Sequence, residues 1–354
     1  MLATEVRQSS YARLLMPALC ALLLTACVSN VHTPYMSEEA ASVPVDPAAG
    51  NASSTPFDYS KQEVVFTNHD LPYNDRDYLL KRIQIPAQRD EGPTSRQISF
   101  RYLSHVGPEP KPLVIVVPIY GSYTYPSDKI TAGLQKLDLQ VNIAVLEYSG
   151  RLFDFEGLAA AQSDADAISV LSGMRDGTRA AVVDVRRIID WAEQQSEIDA
   201  DKIAAVSFSM SALIGSMLAQ HEPRLRASVL VMGAAQYDEI LMVCEGRAGM
   251  AREAVMQNLG WSREQYKEQL RNELGVVDPA RYPGMADPSQ ILMIDALYDK
   301  CMPRQSRDAL WEVLGRPERI SYRYTHKRSF LAMTPLGFNV MRRRIYDFVQ
   351  AHLG

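Results

Sequence analysis

The chain has 354 residues, of which 47% are hydrophobic, and a formal net charge of −5. This balance excludes a disordered or strongly charged polypeptide, and no long basic run supports nucleic-acid binding. With no CxxC, no HExxH and no Gly-rich phosphate loop, the sequence predicts no metal, nucleotide or other cofactor.

In chain order, Arg7 and Arg13 precede an apolar run over 14–26 that meets Cys27. The run is too short to span a bilayer and reads as a secretory signal over 1–26. Its end, Leu24-Thr25-Ala26-Cys27, resembles the lipobox of bacterial lipoproteins. That resemblance implies cleavage before Cys27 and a diacylglyceryl group on its sulfur, usually with a third acyl chain on the new amino group. Two or three chains anchor stably, since each buried methylene contributes about 0.8 kcal/mol. Val28 rather than Asp follows the cysteine, which by the same resemblance points to the outer membrane of the cell envelope, facing the periplasm. Residues 27–56 are rich in Ser, Ala, Pro and acidic side chains without apolar periodicity, and read as a lipidated flexible tether.

Residues 57–354 are long enough for one large core with an insertion. Ile98, Phe100 and Tyr102 alternate with polar residues and predict a strand with one wet face, with 79–85 as its antiparallel partner. The continuous apolar run 113–117 predicts a strand buried on both faces. A helix near 128–137 and a strand at 141–146 follow, then a helix over 179–195 with Val182, Val185, Ile189 and Ala192 on one face. Next come a strand at 203–208, a helix at 213–220 and a strand at 227–232. A helix-rich interruption occupies about 236–288. The alternation resumes with a strand at 291–297, a helix at 304–314 stopped by Gly315, a strand at 320–325 and a last helix. The last helix carries the stripe Val340, Met341, Ile345, Phe348 and Val349, with Arg342, Arg343 and Arg344 on its solvated side. Such alternation predicts an α/β fold: a doubly wound, mostly parallel sheet with a helical cap insertion.

Cys20 leaves with the signal and Cys27 is the lipidation site, so Cys244 and Cys301 remain. In an oxidising periplasm they can be bridged, or they can sit reduced and buried; the sequence leaves both open.

The stretch Ser207-Phe208-Ser209-Met210-Ser211 joins a predicted strand to a predicted helix. This is the layout of a nucleophile elbow, whose sharp turn lifts one hydroxyl out of the sheet and tolerates only tiny residues two before and two after it. Gly is usual at both places, and Ser207 and Ser211 stand there instead. As nucleophiles, Ser207 and Ser211 fit the turn less well than Ser209. A serine nucleophile needs a base, a group to orient that base, and oxyanion donors. Of six histidines, His32 lies in the tether, His352 near the C-terminus, His69 and His105 before the buried strands, and His221 at a helix end that would favour its cation. His326 directly follows the strand 320–325, at the sheet edge where α/β folds place their sites. Two carboxylates, Asp295 and Asp299, are candidates for the orienting acid, and Asp299, just past its strand, is the better placed.

The order Ser209, Asp299, His326, each at a strand end, resembles the α/β-hydrolase superfamily, of serine esterase and lipase type. The stretch Leu297-Tyr298-Asp299-Lys300-Cys301-Met302-Pro303 is similar to that family's acid turn. The resemblance runs from about residue 78 to the end, the cap excepted. It implies Ser209 as nucleophile, His326 as general base and acid, and Asp299 as the group fixing the imidazole tautomer. It further implies the backbone N–H groups of Met210 and Tyr120 as oxyanion donors, although Pro118-Ile119 stands where many members have His-Gly. The expected substrate is a small-molecule or lipid carboxylic ester, with the membrane engaged through Cys27 and no nucleic-acid partner. Tyr120, Tyr123 and Tyr125, then Leu152, Phe153 and Phe155, could wall the cleft or serve packing. The Met242, Met250 and Met256 side chains of the cap could be core or acyl pocket. A non-catalytic envelope binding or assembly protein, and a peptidase of the same fold, are the alternatives.

Overall fold

Among the described residues, nine strands form one mixed sheet in the order β1-β2-β3-β5-β4-β6-β7-β8-β9. They are β1 (Thr67–Asp70), β2 (Tyr78–Arg89), β3 (Gly92–His105), β4 (Lys111–Val117) and β5 (Asn142–Glu147), then β6 (Ile198–Phe208), β7 (Leu225–Val231), β8 (Ile291–Ala296) and β9 (Glu318–Tyr322). This computed structural model describes residues 55–89, 92–119, 124–148, 152–333 and 340–354. The expected signal, Cys27 and the tether through residue 54 lie outside the described residues, as does Tyr120.

The first three strands and the β3–β5 pair are antiparallel, and from β5 onward all neighbours are parallel. Residue types explain the division. On the antiparallel side, Ile98, Phe100 and Tyr102 face the core. The opposite face holds Glu147 between Arg82, at 2.9 Å, and the Ser99 hydroxyl, also at 2.9 Å. On the parallel side, β4 sends Leu113, Ile115 and Val117 into one core cluster and Val114 and Val116 into the other. One apolar run thus serves two layers, as a sheet covered on both faces requires.

The covering helices are α1 (Tyr125–Leu134), α2 (Phe155–Ala160), α3 (Asp164–Ala192), α4 (Met210–His221), α8 (Arg304–Val313), α9 (His326–Ala332) and α10 (Val340–Leu353). Between β7 and β8 the chain inserts α5 (Tyr237–Val243), α6 (Arg247–Leu259), α7 (Arg263–Leu274) and three short 3-10 turns. A capping box between Ser262 and Gln265 starts α7, which buries Tyr266, Leu270 and Leu274. Glu273 then accepts from Ser172 at 2.8 Å and Arg175 at 2.9 Å, fastening the insertion to α3.

Several boundaries differ from those read in the sequence. Helix α3 begins at Asp164, well before 179, because the Ser163 side chain accepts from the Asp166 N–H and opens it there. Strand β6 reaches back to Ile198 through a register shift against β4. Strand β1 was not foreseen; every residue in it is exposed, so it has no apolar alternation to reveal it. Strand β9 ends at Tyr322, and His326 opens helix α9 instead of directly following the strand. Cys244 and Cys301 form a disulfide, which decides the question the sequence left open. Among the described residues no helix is long and apolar enough to cross a membrane.

Candidate active site

Strand β6 is buried to its last residue, Phe208, and the chain turns at once into α4. Ser209 occupies that turn with φ 53° and ψ −121°, a backbone region that side chains other than glycine's avoid. Two hydrogen bonds hold it there: its N–H donates to the Val231 carbonyl at 2.7 Å, and its own carbonyl accepts from Ala212 at 2.8 Å. Such strain typically costs about 1–3 kcal/mol and persists only where the surroundings over-determine it.

Both serines that replace the usual glycines have found room. The Ser207 hydroxyl donates to the Val229 carbonyl at 3.2 Å and lies against Gly215, where an added Cβ would overlap it. Glycine at 215 therefore supplies the space that glycine at 207 would have given. Ser211 is fully buried, and its hydroxyl donates to the Pro118 carbonyl at the end of β4. The elbow is thereby tied to the start of the loop that the sequence reading assigns to the oxyanion.

The Ser209 Oγ lies 2.7 Å from His326 Nε2. His326 Nδ1 lies 2.5 Å from Asp299 Oδ2. The other carboxylate oxygen, Oδ1, accepts from the Cys301 N–H at 2.9 Å and the Met302 N–H at 3.0 Å. Because a carboxylate only accepts, the ring proton sits on Nδ1, and Nε2 is left to accept from the serine. The Asp299 side chain is wholly buried, whereas that of His326 keeps 22% exposure. His326 is held by its place at the start of α9 and by an edge-on contact with Phe330, 5.7 Å between ring centres.

Asp295 lies elsewhere. It is buried within β8 and paired with Arg319 at 2.6 Å, which also binds Asp308 at 2.7 Å. It serves the β8–β9–α8 packing and takes no part in the serine–histidine chain. Met210 is the first residue of α4, so its N–H belongs to the helix turn that has no intrahelical acceptors.

The remaining histidines of the described chain are occupied differently. His221 is buried between Tyr282 and Phe57, with ring centres at 4.6 and 4.8 Å. Burial above all, then the Arg186 charge, lowers its pKa to about 4 against a small opposing effect of Asp58. Burial thus outweighs the helix dipole, which would favour a cation at the end of α4. His352 contacts the Phe348 and Ser289 carbonyls. His69 is exposed on β1, and His105 packs edge-on against Tyr78.

The residues proposed for the cleft are divided. Leu152, Phe153 and Phe155 belong to the core, with Phe153 stacked on Phe155 at 5.8 Å. Tyr125 is partly buried beside Lys129, and Tyr120 and Tyr123 lie outside the described residues. In the insertion, Met242 is core and Met250 is 71% exposed. A cavity of about 300 Å³ between α5 and α7 is lined by Tyr237, Asp238, Arg271, Asp278 and Arg281, and by none of the three linked residues. Burial pushes its Asp278 carboxyl up to about 6, against three backbone N–H groups that donate to it, from Gln236, Tyr237 and Ala280. That acid organises a turn. Among the described residues no cluster of three or more acidic, His or Cys side chains could hold a metal.

No known protein-family pattern matches the sequence. No curated protein matches it in sequence either. Solved structures do match in fold. An acetyl xylan esterase from a Paenibacillus species superposes with a TM-score of 0.61 at 16% identity, over 82% of this chain and 90% of that one. Acetyl xylan esterase 1 from a Thermoanaerobacterium species gives 0.58 at 14% identity, over 79% and 89%. The acylaminoacyl peptidase of Pyrococcus horikoshii gives 0.51 at 12% identity, over 83% of this chain and 50% of that one.

Proposed function

From a chain with the α/β-hydrolase fold, we propose a serine hydrolase that cleaves carboxylic esters through an acyl-enzyme. The observation that carries this reading is the unbroken chain Ser209–His326–Asp299, at 2.7 and 2.5 Å, starting from a serine held at positive φ. Ser209 Oγ attacks the ester carbonyl as His326 Nε2 takes its proton. Asp299 holds the ring and stabilises the imidazolium that forms. The charge on the carbonyl oxygen is met by the Met210 N–H and by an N–H of the loop after β4, with Tyr120 the candidate. Losing one such donor typically costs about 3 kcal/mol of transition-state stabilisation. His326 then protonates the departing alcohol, and water, deprotonated by the same ring, releases the acid.

The space that Gly215 leaves for Ser207, and the bond Ser211 makes, support catalysis over a non-catalytic binding protein. Two fold neighbours are acetyl xylan esterases, so short acyl esters are the first substrates to test. The sequence around Cys27 supports attachment to the cell envelope by lipid, with the catalytic domain in the periplasm. Loss of the protein from the membrane fraction on Cys27→Ser tests that part.

The deciding assay is hydrolysis of a chain-length series of p-nitrophenyl esters by residues 57–354, beside Ser209→Ala. Turnover should fall at least about 10⁴-fold in the variant. Equal rates in both would remove the nucleophile from the reading. Cleavage of short peptides but not esters, lost with Ser209→Ala, would favour a peptidase, which the fold neighbour from Pyrococcus horikoshii motivates.

A further inference from the structure

We infer that the Cys244–Cys301 disulfide is a positioning clamp for Asp299, making turnover sensitive to thiol reductants. The inference rests on the serine-hydrolase reading. Its starting point is where each cysteine stands. Cys301 lies two residues past Asp299, and its N–H donates to Asp299 Oδ1 at 2.9 Å. Cys244 caps the C-terminus of α5, the first helix of the insertion. The disulfide therefore ties the turn that holds the acid to a different part of the chain, 57 residues away in sequence.

The two sides of this turn are fastened unequally. Before Asp299, the chain is held by the sheet: the Leu297 N–H donates to Tyr322 at 2.8 Å and the Tyr298 N–H to Tyr324 at 3.0 Å. Buried Arg307 also binds the Ala296 carbonyl at 2.7 Å. After Asp299, the exposed Lys300 makes only a long, solvated pair with Glu245 at 3.7 Å, and the firm attachments are Cys301, through its sulfur, and the buried Met302 side chain. These two residues supply both backbone donors to Oδ1, so their positions set the direction of the carboxylate.

The other end of the clamp is fastened at several points. The Asp278 carboxylate accepts from the Gln236 and Tyr237 N–H groups, fixing the start of α5. Glu239 pairs with Lys267 at 2.5 Å and Asp238 with Arg271 at 2.8 Å, fixing α5 to α7. Arg252 donates to the Leu241 carbonyl at 3.0 Å and the Cys244 carbonyl at 3.3 Å. Both cysteines are only half-buried, so a small dithiol can reach the bond. Reduction is a two-electron exchange: dithiothreitol becomes its cyclic disulfide, and the two sulfurs each end as a thiol.

With the bond open, the acid turn keeps its sheet attachments and Met302 but loses its covalent link to α5, leaving only the solvated Lys300–Glu245 pair between them. The orientation of His326 suffers, while the backbone bonds from Ser209 to Val231 and from Ala212 to Ser209 that hold the elbow lie on other elements. The effect should therefore fall on kcat and spare KM. The test is steady-state ester hydrolysis by residues 57–354, oxidised, reduced with dithiothreitol, and as Cys244→Ser/Cys301→Ser, with thermal unfolding followed in parallel. A fall in kcat of about tenfold or more is expected, with KM within about twofold, below the unfolding transition. Reoxidation should restore kcat in the native sequence and leave the double variant unchanged. Leu274→Ala, which hollows the core of the insertion but keeps the disulfide, should retain kcat at matched loss of stability. Turnover indifferent to reduction, or an equal loss in Leu274→Ala, would overturn the clamp. Absence of Ser209-dependent turnover in the oxidised protein would sink the hydrolase reading and the clamp together.

Discussion

Two acids four residues apart, Asp295 and Asp299, do different work because of what each faces. Asp295 is neutralised by Arg319, whereas Asp299 faces the histidine with one oxygen and two backbone N–H groups with the other. Asp299→Asn should lower kcat by about three to four orders of magnitude with little loss of folding stability, since the amide favours the wrong imidazole tautomer. Asp295→Asn should do the reverse: breaking a buried pair costs about 3–5 kcal/mol, and kcat of the folded fraction should hold. Paired kinetics and urea unfolding separate the two. The elbow offers a second residue-scale test. Gly215→Ala places a methyl on the Ser207 hydroxyl, and overpacking of this kind costs about 1–3 kcal/mol. Adding Ser207→Gly should recover most of that loss in a double-mutant cycle. If the two effects simply add, the compensation between 207 and 215 is wrong. Ser209, Asp299 and His326, which the structure links, were singled out in the sequence by their places after predicted strands. The role of Gly215 was not, because it depends on how α4 lies across β6.

At the scale of elements, the site is assembled from three strand ends and two helix starts. Strand β4 was legible as an unbroken apolar run and β6, β7 and β8 as mainly apolar ones, since strands buried on both faces carry few polar interruptions, whereas β9 mixes charged and apolar residues. Exposed β1 gave no such signal, and the placement of His326 on α9 could not be read from the run 320–325. The disulfide acts at this scale as well. It closes a loop with a sequence separation of 57 residues, which in the chain-entropy account stabilises the fold by about 4 kcal/mol. The reduced protein should therefore melt earlier as well as turn over more slowly, and differential scanning calorimetry with and without reductant reads the first effect directly.

Across the whole molecule, the segment before β1 is bound to the back of the fold. Phe57 and Val64 are buried, the Tyr59 hydroxyl donates to Asp190 at 2.8 Å, and Arg186 donates to the Phe57 carbonyl at 2.7 Å. Arg224 joins Asp190, Glu193 and Glu222 into one ionic cluster beside it. Phe57 is also one wall around His221, and this gives the molecule a pH dependence. The fold favours the neutral ring, so the unfolded chain takes up the proton first. Stability from this group is complete above the usual 6.5 and is lost as the pH falls toward about 4. The loss should reach roughly 2 kcal/mol after allowance for solvent screening, and urea midpoints between those pH values should flatten in His221→Phe. A slope unchanged by that substitution would assign the effect to other groups. By itself, the sequence determined the layer architecture and the order of the main buried elements, because periods of two and 3.6 residues record which faces are buried. Only the tertiary structure decided that Ser209 meets a histidine 117 residues later, that Cys244 bonds Cys301, and that His221 is buried between Phe57 and Tyr282. Those outcomes depend on strand register and on helices packed across the sheet, which no local pattern encodes.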